Sequence, residues 1–390
     1  MVDEIVHAVD PQGDVVLVLR NPKAPFAVWK DTDWAPPPVQ PVQPGKICKK
    51  CKSKSNTCKK YEICKKCRMA EQREQPSEAE QALLSHDTNA HQESEIKFLL
   101  SSRHLILASR YYDKKVNGTW EEATPHPADG RYHLEASDWD PAALLILMNV
   151  IHGRTRSVPR RVDCEMLAKI AVLVDYYDCL EAVEVFSSMW IDALNDQLPS
   201  ECSRELVLWL LIAHVFHQDD VFAKITKTAV LGGQGPMPTL ELPIPSIVVD
   251  LIDWRRQDAI AFILNSLNDL LVSLRKEPGD YNHVSSCVNL GALDRAMYKE
   301  NLLGLSEPYL GHAVTKLETT VRAFRTPDRN SYSHRYSSGY DGSNLWTIIN
   351  DRLDSESAKN KEGFSLSEVT MSDVSRREGK DKSNDDDELD

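Results

Sequence analysis

The stretch Phe98 to Tyr112 (FLLSSRHLILASRYY) constrains the fold more than any other part of this chain. Ile96, Phe98 and Leu100 stand at every second position, the period of a half-buried strand. Leu105, Ala108, Ser109 and Tyr112 then recur at spacings of three and four, the period of a helix.

The flanking sequence extends this pattern. Asp14 to Leu19 (DVVLVL) is a β-branched run between Gly13 and Asn21-Pro22 and predicts a strand; Arg131 to Ala136 predicts another. Asp140-Pro141 opens a helix, with Asp as N-cap and Pro at the first helical position, where its missing N–H costs nothing. Leu144, Leu145, Met148 and Ile151 line one face of it, and Gly153 stands where a left-handed cap is needed. A further helix starts at Asp163 and buries Leu167, Ile170, Ala171 and Val174. Asp178-Cys179-Leu180-Glu181 reads as a capping box for the next, with Val183, Phe186, Met189 and Trp190 turned inward.

From Ser203 the pattern is all-helical. Ser203 to Ala229 reads as one buried helix, apolar nearly all round between Leu206 and Val215. Gly232 to Pro245 is a Gly/Pro-rich break. Ile260, Ile263, Leu264, Leu267, Leu270, Leu271 and Leu274 then form a stripe of about two heptads, too short for a coiled-coil seam, and predict a core helix. Beyond Thr326-Pro327 the chain turns Ser/Tyr/Gly-rich and then charged, with an apolar island at Leu345 to Leu353; most of it reads as a flexible tail.

Between the first two strands lies a long non-periodic segment: Pro36-Pro37-Pro38, a Lys/Cys run, and a Glu/Gln/Ser-rich stretch to Ser94. Loops of that length are functional or disordered, and this composition favours disorder. Lys+Arg 46 against Asp+Glu 59 gives a net charge of -13, which disfavours non-specific binding to nucleic acid. The charge is uneven, with Lys46 to Arg68 basic and Asn384 to Asp390 acidic. No run reaches the ~18 apolar residues of a membrane helix, and the N-terminus carries acids where a secretory signal has an apolar core. The expected location is therefore cytoplasmic or nuclear, not secreted, with thiols reduced. Cys164, Cys179, Cys202 and Cys287 fall within helical patterns and read as small buried hydrophobes.

Phe98 and Leu100 on the strand, Leu105, Ala108 and Ser109 on the helix and its end, and Tyr112 after it resemble the core of a BTB/POZ domain. In that family a β-hairpin feeds a helical hairpin through a strand ending Phe-x-Val-His, then Leu, then Ala-x-Ser-Pro and an aromatic. Asp14-Val15 resembles the family's Asp-Val pair at the head of the first strand. Ser101 departs from the usual His, and Arg110 from the usual Pro. The run from Asp140 to Trp190 resembles BTB/POZ proteins of the filamentous-fungal type. The resemblance implies a non-enzymatic protein–protein interaction module. Its partners would be proteins: a second copy in a homodimer, or a cullin scaffold if the chain is a ubiquitin-ligase adaptor.

Cys48-x-x-Cys51 and Cys64-x-x-Cys67, with Cys58 between them, form the strongest chemical constellation. Paired CxxC knuckles can place four thiolates around zinc, and nearby lysines offset the charge of such a centre. The twelve residues between Cys51 and Cys64 fall short of the usual ~15–20, so a Lys-rich low-complexity insertion is the competing reading. Lys46 to Arg68 also reads as a nuclear-targeting or nucleic-acid patch, or more simply as a solvated charge run. His214 and His217 form an H-x-x-H pair without the Glu of a zinc protease, and read as satisfied helix histidines. No phosphate loop, nucleophile elbow or organised triad stands out, so neither catalytic nor cofactor-binding residues are expected.

The expected architecture is an α+β, BTB/POZ-like small sheet flanked by helical hairpins over residues 13–194, interrupted by an insertion at about 31–94. A helical C-terminal domain over 203–325 and a largely disordered acidic tail over 326–390 follow. The alternative is a zinc-dependent nuclear regulator acting through the Cys/Lys-rich insertion.

Overall fold

Strands β1 (Ile5–Ala8), β2 (Val15–Arg20), β3 (Ile96–Leu100) and β4 (Tyr132–Ser137) form one sheet in the order β1-β3-β2-β4. The structure is a computed structural model and describes residues 5–30, 34, 95–118, 124–276, 283–326, 345–356 and 361–371. The chain divides into the unit Pro38–Ser94 and the remainder, and every described residue belongs to the remainder.

β2 and β3 pair antiparallel in the register Val15↔Leu100, Leu17↔Phe98 and Leu19↔Ile96, so the expected hairpin closes across the whole insertion. β4 returns parallel to β2, with Leu17 opposite Leu134. Val15, Leu17, Leu19, Phe98, Leu100 and Leu134 are all buried, so alternation gives the sheet one apolar face. β1 was not foreseen; its four residues gain strand geometry by pairing parallel with β3. Gly13 precedes β2 because a Cβ there would run into the carbonyl oxygen of Leu100.

The helices are α1 (Ser102–Ala108), α2 (Arg110–Val116), α3 (Pro141–Ile151), α4 (Cys164–Tyr177), α5 (Leu180–Leu194), α6 (Arg204–Val215), α7 (Asp219–Gly232), α8 (Ser246–Lys276), α9 (His283–Lys299), α10 (Val314–Arg322) and α11 (Leu345–Glu356). Asp140 caps α3 by accepting from the N–H groups of Ala142 and Ala143 at 2.9 and 3.1 Å. Asp163 caps α4 through the Met166 N–H at 2.7 Å. The mixed α and β architecture expected from the sequence is therefore present.

Four details correct the sequence reading. Asp178 does not open a capping box: it ends α4 in the left-handed region at φ +47°, and Cys179 precedes α5 without a side-chain cap. The single helix expected over 203–229 is two, parted by His217 at φ +52°. There the His217 N–H donates to the His214 carbonyl and the Gln218 N–H to that of Ala213, a Schellman closure that lets the chain reverse. Trp34, assigned to the insertion, is buried in the core. Within the expected flexible tail, α11 buries Leu345, Ile349 and Leu353, and Phe364 and Val369 are buried further on.

Two apolar cores result. The first holds the sheet, α1 to α7, and Val248 and Ile252 of α8, with Phe364 and Val369 added to it. The second gathers Ala259 to Leu274 of α8 with residues of α9, α10 and α11. The change from one core to the other falls within α8, and α6 packs against α4 in the first.

Candidate functional site

Two Tyr-Tyr dipeptides, one at the start of α2 and one at the end of α4, build the most distinctive surface of the first core. Adjacent helical residues point about 100° apart, so each pair sends one ring inward and one outward. Tyr112 and Tyr177 are buried and stack with ring centroids 4.9 Å apart. Tyr111 meets Tyr177 edge-on at 5.2 Å and Tyr176 at the same distance, while Tyr176 is half exposed. Trp139 closes the cluster at 5.2 Å from Tyr176.

Ser109 sets this arrangement. Its hydroxyl accepts from the Tyr112 N–H at 3.2 Å, capping α2, and donates to the Tyr177 carbonyl at 2.5 Å, which ties the start of α2 to the end of α4. Arg110 is the first residue of α2, the helical position at which proline is tolerated. The joint before α1 is held from outside as well: Asp14 accepts from both the N–H and the hydroxyl of Ser102, at 2.7 and 2.6 Å. The Ser101 N–H donates to His152 Nε2 at 2.9 Å.

Beside the tyrosines lies a cavity of about 620 Å³ lined by Leu17, Tyr111, Lys115, His126, His133 and Tyr177, among others. A shallower groove of about 360 Å³ shares Tyr111 and Lys115 and adds Arg110, Lys114 and Tyr176. Burial pushes the Tyr177 phenol up to about 12 and raises that of Tyr112 well above its ordinary value. The Tyr112 hydroxyl lies close to Tyr177 but has no partner of hydrogen-bond geometry. Both phenols stay protonated, so this surface offers aromatic faces and cationic side chains. That combination suits docking of an aromatic or acidic group.

The cysteines of the zinc expectation, Cys48, Cys51, Cys64 and Cys67, lie outside the described residues, as does Cys58. Burial pushes the thiols of Cys164, Cys179 and Cys202 up to about 12, which keeps them protonated and unreactive. The H-x-x-H pair corrects its reading. His214 stands in the last turn of α6 with its Nδ1 unpartnered, and His217 stands beyond the helix. Among the described residues, the one His/Cys/Asp/Glu cluster with donor atoms in reach of each other is His126, Asp129 and His133. The pattern H-x-x-D-x-x-x-H would have flagged it, but nothing in the sequence says that the intervening turn folds the three together.

Among the described residues no helix is long and apolar enough to cross a membrane. Fold and surface together define a mixed α and β protein with a small four-stranded sheet. Comparison with protein-family models, with curated proteins and with solved structures finds no match to this chain.

Proposed function

We propose that the chain is a non-enzymatic interaction module of the BTB/POZ type, acting through self-association or partner docking. The observation that carries this reading is the antiparallel pairing of β2 with β3 across the insertion, followed at once by the short helices α1 and α2. That is the hairpin-into-helical-hairpin order that the residue pattern resembles. Its two departures have a place in the fold: Arg110 is the first residue of α2, and the Ser101 N–H donates to His152. The docking face in this reading is the shelf of Tyr111 and Tyr176 with Arg110, Lys114 and Lys115.

Sedimentation velocity over a hundredfold range of concentration tests self-association, since an obligate dimer buries upwards of ~2,000 Å² and does not dissociate readily. The expected result is a mass of two chains. A second arm compares proteins cross-linked to the full chain with those cross-linked to the Lys114→Glu/Tyr176→Ala variant. Loss of specific partners in the variant supports docking at the shelf. A chain that is monomeric throughout, with identical cross-links in both forms, overturns the proposal.

A further inference from the structure

We propose that His126, Asp129 and His133 form a binding site for one divalent transition metal of the zinc class, on the wall of the tyrosine-lined cavity. The donor atoms of the three side chains lie within 4.8 Å of one another. The loop that carries them is closed on itself: the His126 N–H donates to the Arg131 carbonyl at 2.7 Å and the Gly130 N–H to the His126 carbonyl at 2.8 Å. Gly130, at φ +71°, supplies the left-handed residue that this reversal requires. Asp129 Oδ1 accepts from the Arg131 N–H at 3.1 Å, which aims its second oxygen at His133 Nε2, 2.9 Å away.

His133 is held independently, because β4 pairs it with Val16 in the sheet. The His126 and His133 rings stand 4.9 Å apart, tilted by 33°. Backbone bonds that exist without any ion therefore bring two imidazoles and a carboxylate to one place, so little ordering is left for the ion to impose.

The donor set selects the ion. Two imidazoles and one carboxylate suit zinc, cobalt or nickel, whereas calcium and magnesium need oxygen donors throughout. Glu135 lies on the same face of β4 but is engaged by Arg20 at 2.7 Å. Three protein donors leave a tetrahedral ion one open position. Two of the three side chains line the cavity with Tyr111 and Lys115, so a ligand in that cavity is the natural occupant of the open position.

The test uses the full chain with Cys48, Cys51, Cys58, Cys64 and Cys67 replaced by Ser, so that thiolates of the insertion do not compete. Zinc chloride is titrated calorimetrically, and cobalt binding is followed by absorption. The site predicts one equivalent of zinc and a cobalt spectrum free of thiolate charge transfer. His133→Ala and Asp129→Asn should each weaken binding by at least ~10-fold, and Lys115→Ala should not. Asp129→Asn keeps the oxygen that accepts from Arg131, and circular dichroism checks that each variant is folded. The proposal fails if the chain with these five cysteines replaced takes up no zinc, or if uptake is the same in both site variants.

Discussion

His152 shows how much one side chain can join. Its Nε2 accepts from the Ser101 N–H at 2.9 Å, and its Nδ1 faces the Met148 carbonyl at 2.8 Å. One nitrogen must accept and the other donate, so the ring is neutral in the fold, stacked on His104 at 5.0 Å. Burial holds its pKa below the ordinary histidine value, against the Met148 carbonyl and Asp10, which pull the other way. A lowered folded pKa means that the unfolded chain binds the proton more readily. This contribution to stability is therefore whole above the unfolded value of about 6.5 and is lost as pH falls from there through the lowered folded value. Urea midpoints measured between pH 7.5 and 5.5 should fall less in His152→Gln than in the wild type. His214 and His312, which burial also lowers, keep their own share of the slope. Equal slopes in the two proteins would refute this role.

Among the described elements, α8 gives buried residues to both cores, and Arg256 sits at the changeover. Val248 and Ile252 face the first core, and Ala259 onward faces the second. Arg256 is fully buried between them. Its guanidinium pairs with Asp253 at 2.8 Å and donates to the carbonyls of Pro308, Tyr309 and His312 at 2.8, 3.1 and 3.4 Å. It thereby fastens the loop before α10 to α8. Removing one partner of a buried ion pair leaves the other charge uncompensated, so Arg256→Ala should cost about 3–5 kcal/mol in equilibrium urea unfolding. Arg256→Lys should recover little of this, since an ammonium cannot reproduce the planar fork. A loss under about 1 kcal/mol, the size of an exposed pair, would show that the loop is held by other means.

At the scale of the molecule, the segment 361–371 acts as a strap across the first core. Phe364 is buried beneath the Arg255 guanidinium, 3.8 Å from its ring centroid, and its N–H donates to Thr226 Oγ1 at 2.9 Å. Gly363 makes this docking fit: a Cβ there would run into the Ala223 carbonyl. Gly363→Ala should therefore release the strap and leave the rest of the fold in place. Limited proteolysis would read this as faster cleavage between residues 356 and 372 with an unchanged core fragment; an unchanged cleavage rate would contradict it. The same interleaving joins the segments before and after residue 200. α6 packs against α4, and both bury their apolar residues in the first core.

Strands β2, β3 and β4 and the starts of α3 and α4 were legible in the sequence, because period and capping chemistry act over a few residues and leave a local record. β1 and the burial of Phe364 were not legible, since each depends on a surface that distant chain supplies, and the break at His217 was not, since a left-handed histidine leaves no mark in the apolar pattern. The site divides in the same way. The Tyr-Tyr pairs and the three metal-type side chains are plain in the sequence, but their convergence is a property of one hydroxyl, Ser109, and one closed turn at Gly130. Local sequence determined which segments became strands and helices. Long-range burial and backbone pairing decided where they end, which cores they share and which side chains meet.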